Sequence, residues 1–211
     1  NKASNDTTDY SVFVVPFVGT DYTGNTYPGA QVPFGMVQLS PDNGLPGWDR
    51  IAGYFYPDST IAGFSHTHLS GTGCGDLYDV SFMPVMLPAK TADEPLGIHS
   101  LFSHDDEMAE AGYYQVRLTD YDINVELTAT PRCGVQRYTF PKGDAAVILN
   151  LRKAMNWDFT DDTSIEIVDS QTIRGHRFSE GWCRDQKLYF YTHFSRPFES
   201  VEIDTADVKK D

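Results

Sequence analysis

Apolar and polar residues alternate with a period of two along most of the chain, and almost nowhere do they take the 3.6-residue spacing of an amphipathic helix. Strands are predicted at 12–15, 35–39, 61–64, 80–86, 113–119, 123–128, 134–140, 145–151, 164–168, 172–178, 188–194 and 201–203. Turn signals such as Pro141-Lys142-Gly143-Asp144 separate them, and the one helical piece predicted is short, at 105–111. The pattern predicts an all-β chain, a large antiparallel β-sandwich with little helix.

Two predicted strands differ in kind. In Ile123-Asn124-Val125-Glu126-Leu127-Thr128-Ala129 the alternation is clean, so one face is packed and the other is wet or meets a partner. In Leu188-Tyr189-Phe190-Tyr191-Thr192-His193-Phe194 apolar residues occupy both faces, the pattern of a central strand between two layers, one of which this chain does not supply. No internal repeat, low-complexity tract or linker divides the chain, and 204–211 reads as a frayed end. A single domain over 10–211 follows a polar segment, 1–9, that is expected to be disordered or processed. That segment suits the start of a mature exported protein and equally an engineered boundary.

Composition narrows the partners. The 211 residues are 40% hydrophobic and include 13 Phe, 12 Tyr and 3 Trp, which supplies a sizeable core and excludes a disordered chain. Thirty acidic against 16 basic residues give a formal charge of −14, which repels nucleic acid and anionic membrane and suits a neutral ligand. No apolar run reaches the length of a membrane span. Cys74, Cys133 and Cys183 are too far apart in sequence for a close metal pair, and they allow at most one disulfide, whose state the sequence leaves open.

The stretch Gly63-Phe64-Ser65-His66-Thr67-His68-Leu69-Ser70-Gly71-Thr72-Gly73-Cys74-Gly75-Asp76 runs an alternating strand into a loop with little side-chain bulk. Alternation places Phe64, His66 and His68 on one face, and glycines at every second position of the loop let a backbone approach a ligand closely. A phosphate loop is excluded, because the glycines do not run on into Lys-Ser/Thr, and a dinucleotide fingerprint would place glycine where Asp76 stands. Metal chelation by the two histidines, substrate-facing histidines and a purely structural bulge stay open. A second cluster, Gly47-Trp48-Asp49-Arg50, places an indole beside a carboxylate and a guanidinium. An exposed ring of this kind stacks on a pyranose while its polar neighbours bond the hydroxyls; a Trp that only caps the core is the competing reading.

Several motifs together carry a family resemblance. Pro16-Phe17-Val18-Gly19-Thr20-Asp21, Gly24-Asn25-Thr26-Tyr27-Pro28-Gly29-Ala30, Val32-Pro33-Phe34-Gly35-Met36-Val37-Gln38-Leu39-Ser40-Pro41-Asp42 and above all Gly63 to Gly73 are similar to the amino-terminal domain of glycoside hydrolase family 92. Glu110-Ala111-Gly112-Tyr113-Tyr114, Glu126 to Thr130, Arg137-Tyr138-Thr139-Phe140-Pro141 and Ser195-Arg196-Pro197-Phe198 match in order and spacing, although Arg137 stands where histidine is expected. The resemblance implies a supersandwich-like amino-terminal β-domain of a calcium-dependent, inverting exo-α-mannosidase. Such enzymes are usually exported by bacteria, to the periplasm, the cell surface or the medium, and act on N-glycans or yeast mannan. It further implies a carboxy-terminal (α/α)6 domain, not represented in this chain, that holds the acid, the base and most calcium ligands. No catalytic or metal residue is therefore carried onto this sequence, and the chain by itself is expected to be inactive.

On this resemblance Asp21, Trp48, Asp49, His66, His68, Thr72, Cys74 and Asp76 are expected to face the sugar pocket across a domain interface, with Trp48 on the leaving-sugar side. The acidic clusters Asp105-Asp106-Glu107 and Asp158 with Asp161-Asp162 are read as solvated surface charge rather than as a catalytic pair. Two other classes of function compete. One is a free-standing carbohydrate-binding sandwich without hydrolytic activity, and the other is a protein-recognition sandwich marked by a large exposed apolar patch.

Overall fold

The computed structural model describes residues 8–71, 73–93, 96–153 and 158–204. Fourteen strands lie among them: β1 (Ala30–Gln31), β2 (Gln38–Asp42), β3 (Thr60–Ile61), β4 (Gly63–Ser65), β5 (Ser81–Met86), β6 (Ser100–Leu101), β7 (Glu107–Glu110), β8 (Tyr113–Leu118), β9 (Ile123–Ala129), β10 (Gly134–Thr139), β11 (Ala145–Asn150), β12 (Phe159–Asp169), β13 (Thr172–Glu180) and β14 (Gln186–His193). They form a five-stranded sheet in the order β1-β2-β4-β5-β11, a four-stranded sheet β10-β9-β8-β7, a three-stranded sheet β12-β13-β14 and a small pair β3-β6. Every named strand pair is antiparallel, and the chain is all-β with only three short 3-10 turns among the described residues.

The first two sheets enclose the core. Alternation in β8 and β9 turns Tyr114, Val116, Leu118, Ile123, Val125 and Leu127 inward, while Arg117 and Asn124 meet solvent. The five-stranded sheet answers with Ala30, Leu39, Phe64, Met83 and Val85. Each large side chain removed from water in this way contributes roughly 1.5–3 kcal/mol before chain entropy is counted. Asp122, in the left-handed region at φ 54°, closes the turn between β8 and β9. Arg177, from the third sheet, is the largest fully buried side chain of the described residues, which marks a different kind of interior beneath that sheet.

Several sequence expectations are corrected. The stretch predicted helical at 105–111 is a 3-10 turn, His104–Asp106, followed by β7. Glu107 and Ala109 lean inward while Met108 and Glu110 face out, a period of two that pairs with β8 and leaves no helical face to bury. The predicted strand at 12–15 is replaced by an exposed 3-10 turn, Tyr10–Phe13, capped by the Asp9 carboxylate on Ser11 N at 2.9 Å. In 35–39 the ladder begins only at Gln38, because Phe34 takes φ 60° and Gly35 closes a turn onto Val32 O. No strand forms at 201–203.

The strand β14, read from its sequence as central, is an edge strand of the third sheet. Tyr189 and Tyr191 are 69% and 68% exposed, and the opposite face is half-buried. On the outer face Tyr189 makes ring-edge contacts with His176 and Phe178. The Arg137 side chain, at the position where histidine was expected, makes a bidentate pair with Glu126, its cross-strand partner on the exposed side of β9 and β10.

Candidate functional site

The loop after β4 makes close contact with the loop before β1 and with the Trp48 turn. Gly71 N donates to Asn25 O at 2.6 Å, which ties it to the 19–29 loop. At Gly73, in the left-handed region at φ 71°, a Cβ would stand 3.3 Å from Trp48 Cη2, so the glycine brings backbone against the indole. Leu69, Gly73, Cys74 and Trp182 line an open depression of about 260 Å3 beside Trp48. Trp48 is 59% and Trp182 81% exposed, the state of rings that cover a ligand rather than fill a core. The depression is smaller than the roughly 300–1,000 Å3 of complete small-molecule pockets.

Both histidines point inward. His68 is buried, with Nδ1 2.7 Å from the Gln38 carbonyl and Nε2 2.9 Å from Asp42 Oδ1 and 3.1 Å from Ser65 Oγ. The Nδ1 nitrogen faces a carbonyl and Nε2 a carboxylate and a hydroxyl, so both ring nitrogens are engaged inside the sheet. His66 Nδ1 donates to Val80 O at 2.8 Å, and Gly134 lies against the other edge of the ring. Burial holds its pKa below the usual histidine value, with the Val80 bond opposing. These rings brace the five-stranded sheet and present neither a metal-chelating pair nor a face to the depression. Among the described residues no group of three or more His, Cys, Asp or Glu is placed to hold a metal ion.

Carboxylates behind the depression are also turned inward. Asp79 accepts from Arg177 Nη1 at 2.6 Å, from Thr67 Oγ1 at 2.6 Å and from Gln186 Nε2 at 3.0 Å. The other terminal nitrogen of Arg177 bonds to Asp158, whose pKa is raised by burial against the opposing pull of Arg177. Asp158 is thus a buried ion-pair partner rather than the surface charge expected of it. The same correction applies to Glu107, which accepts from Tyr54 Oη at 2.9 Å and Tyr114 Oη at 2.5 Å and pairs with His104 Nδ1 at 2.7 Å. Burial, with the Glu107 charge adding to it, pushes both tyrosines up.

Asp76 is buried and reaches the tip of the β13–β14 hairpin, where Oδ2 accepts from Trp182 N at 2.6 Å and Cys183 N at 3.2 Å. Directly after it, Leu77, Tyr78 and Val80 all take positive φ, at 86°, 66° and 55°. Such conformations cost on the order of 1–3 kcal/mol each and persist only where the surroundings hold them. Here the Tyr78 hydroxyl bonds to Ile51 O, and Asp79 is locked by Arg177. Burial, then the nearby Asp76 charge, raises the Cys74 thiol, so this cysteine is poorly suited to act as a thiolate. No disulfide joins Cys74, Cys133 and Cys183 in the structure.

Of the eight expected rim residues, then, the structure brings Trp48 and Cys74 together at the depression, with Asp49 half-exposed in the Trp48 turn. Arg50 is turned away from it to a bidentate pair with Asp58. Asp21 is half-exposed in the 19–29 loop and accepts from Tyr22 N at 2.7 Å. His68 and Asp76 are buried, His66 is half-buried with Nδ1 turned to Val80 O, and Thr72 lies outside the described residues. Sequence reasoning missed Trp182. Its signal was a second Gly-Trp-x-Arg, Gly181-Trp182-Cys183-Arg184, repeating Gly47-Trp48-Asp49-Arg50 in a turn between alternating strands.

The model of the glycosyl hydrolase family 92 N-terminal domain matches residues 13–211. This chain belongs to that family. An α-mannosidase of the family from Bacteroides thetaiotaomicron, solved with mannoimidazole, superposes with a TM-score of 0.84 at 38% identity, covering 90% of this chain and 26% of that one. An inverting mannosidase of the family from the same species superposes at 0.72 with 30% identity, over 92% and 26%. An uncharacterized secreted glycosidase of Arthroderma benhamiae is 29% identical over 140 residues, 63% of this chain and 18% of that protein. The family 92 chain thus spans about a quarter or less of the length of these relatives. Among its described residues no helix is long and apolar enough to cross a membrane.

Proposed function

We propose that this chain forms one wall of the sugar pocket of a calcium-dependent, inverting, exported exo-α-mannosidase acting on α-mannosidic bonds of N-glycans or mannan. The observation that carries the proposal is the open depression lined by Leu69, Gly73, Cys74 and Trp182, which Trp48 adjoins at Gly73, with neighbouring buried carboxylates bonded into the interior. Two exposed indoles suit the apolar faces of a pyranose. An inverting glycosidase also needs an acid and a base about 6.5–9.5 Å apart with a water between them. Asp79 and Asp158 are held by Arg177 and Asp76 by backbone N–H groups, so the acid and base come, in this reading, from a helical (α/α)6 domain that packs on this one. The calcium ion is, in this reading, likewise bound mainly by that domain. Binding and orienting the leaving sugar is the role left to this chain.

The support from relatives is that the family 92 structure at 38% identity is an α-mannosidase solved with mannoimidazole, and that the fungal relative is a secreted glycosidase. In the complete enzyme Trp48→Ala is expected to lower kcat/KM on an α-mannobiose roughly tenfold more than on an activated aryl α-mannoside, because only the former needs its leaving sugar held. Equal losses on the two substrates would refute the assignment. The chain alone is expected to turn over neither substrate, with or without calcium. A free-standing binding module is the second reading, favoured by the exposed Tyr189 and Tyr191 on the outer face of β14. Calorimetric titration of this chain with mannan separates the two, since tight binding supports the module.

A further inference from the structure

Nothing in the pocket reading says what holds Trp182 in place. Its indole is 81% exposed and belongs to a hairpin tip, where a side chain without core contacts is free to swing. What the tip does have is a buried anchor. The Asp76 carboxylate accepts from Trp182 N at 2.6 Å and Cys183 N at 3.2 Å across 106 residues of sequence, and the tip closes on itself through Gly181 N to Cys183 O at 3.0 Å. Gly181 is shaped to this anchor, because a Cβ there would stand 2.6–2.8 Å from the carboxylate atoms of Asp76. Asp76 in turn belongs to the same loop as Gly73 and Cys74, the floor against which Trp182 is set. The strained run Leu77-Tyr78 and Val80 directly after it, fastened by Tyr78 to Ile51 and by Asp79 to Arg177, fixes the direction of the carboxylate.

We infer that Asp76 is a positioning residue for leaving-sugar recognition: by clamping the backbone of Trp182 it sets that indole as a wall of the depression that Trp48 adjoins at Gly73. The inference rests on the pocket reading above, and it adds Trp182 as a sugar contact and Asp76 as the group that orders it. A carboxylate anchoring two backbone N–H groups is a charge-assisted clamp, stronger than the neutral bonds of an ordinary hairpin tip. Misplacing a binding group by about 1 Å is enough to degrade a substrate complex.

Two measurements test it. Hydrogen exchange on this chain is expected to show the Trp182 and Cys183 amides exchanging roughly tenfold faster in Asp76→Ala, with a smaller change in Asp76→Asn, which retains an acceptor oxygen. Amides of β8 and β9 report whether the variant is folded, and Gly181→Ala, which displaces the carboxylate while leaving Asp76 present, is expected to give the same local effect. In the complete enzyme Asp76→Ala and Trp182→Ala are both expected to cost roughly tenfold more in kcat/KM on an α-mannobiose than on an activated aryl α-mannoside, with a smaller difference for Asp76→Asn. A merely structural role would lower both substrates alike. Unchanged Trp182 and Cys183 exchange in both Asp76→Ala and Gly181→Ala overturns the clamp. Faster exchange with Trp182→Ala selective for the disaccharide but Asp76→Ala not selective overturns the positioning role alone. If neither Trp48→Ala nor Trp182→Ala discriminates between the substrates, the pocket reading falls and the inference falls with it.

Discussion

Between the two large sheets, Leu39, Phe64, Val116, Ile123 and Leu127 are buried together and satisfy one another through apolar contact. Beneath the three-stranded sheet the buried side chains include Arg177, Asp79, Asp158 and Asp76, and each depends on a partner from another part of the chain. The first interior is non-directional, so it gains stability roughly with area and tolerates small changes of shape. The second is directional. Its energy comes close to balance while every partner is present and becomes strongly unfavourable once one is removed, because a lone charge in a dry interior has lost its water without compensation. This polar seam fixes how the β13–β14 hairpin meets the loop that carries Gly73 and Cys74, and so the aromatic depression is tied to the less forgiving of the two interiors.

The contrast can be broken most directly at Arg177. Its replacement by Met leaves Asp79 and Asp158 buried against an apolar chain and is expected to cost about 3–5 kcal/mol in urea denaturation at pH 7. A loss no larger than that of a core methylene would show that water enters the seam and that the distinction does not hold. In the core, Ile123→Val removes one methylene from a fully buried side chain and is expected to cost about 0.5–1.5 kcal/mol. A much larger loss there would mean that the sandwich is as shape-critical as the seam.

The smallest effect is a pH dependence from His66, which directly follows β4. Burial lowers its folded pKa below the ordinary value of 6.5, so the fold favours the neutral ring. The unfolded chain takes up the proton first as pH falls, and the His66 contribution is complete above about pH 6.5 and lost as pH drops through the folded pKa. The urea midpoint of the wild type is therefore expected to decline more steeply below pH 6.5 than that of His66→Gln. Parallel profiles would remove His66 from the account.

How much of this was legible in the sequence depends on the range of the interactions. The strands β8, β9 and β10 were found near their observed bounds because each carries its own alternation, and the resemblance of Gly63 to Gly73 pointed to the family that residues 13–211 match. Trp48 was legible as an indole in a turn, and Cys74 joins it at the depression. The histidines misled, because alternation puts His66 and His68 on one face without saying whether that face meets a ligand or the Val80 and Gln38 carbonyls. Glu107 and Asp158 were read as surface charge for the same reason: their tyrosine and arginine partners come from other strands.

The sequence alone determined an antiparallel all-β chain, a strongly acidic composition, and the set of loops that mark a family 92 amino-terminal domain, since period, composition and local motifs are properties of neighbours along the chain. Only the tertiary structure decided that Arg177 lies between Asp79 and Asp158, that Asp76 holds Trp182, and that a second indole lines the depression with Gly73 and Cys74. Those contacts join residues 98 and 106 positions apart for Asp79–Arg177 and Asp76–Trp182. Such pairs exist only once the sheets have packed, because a buried charge is stable only beside the partner that the packing delivers.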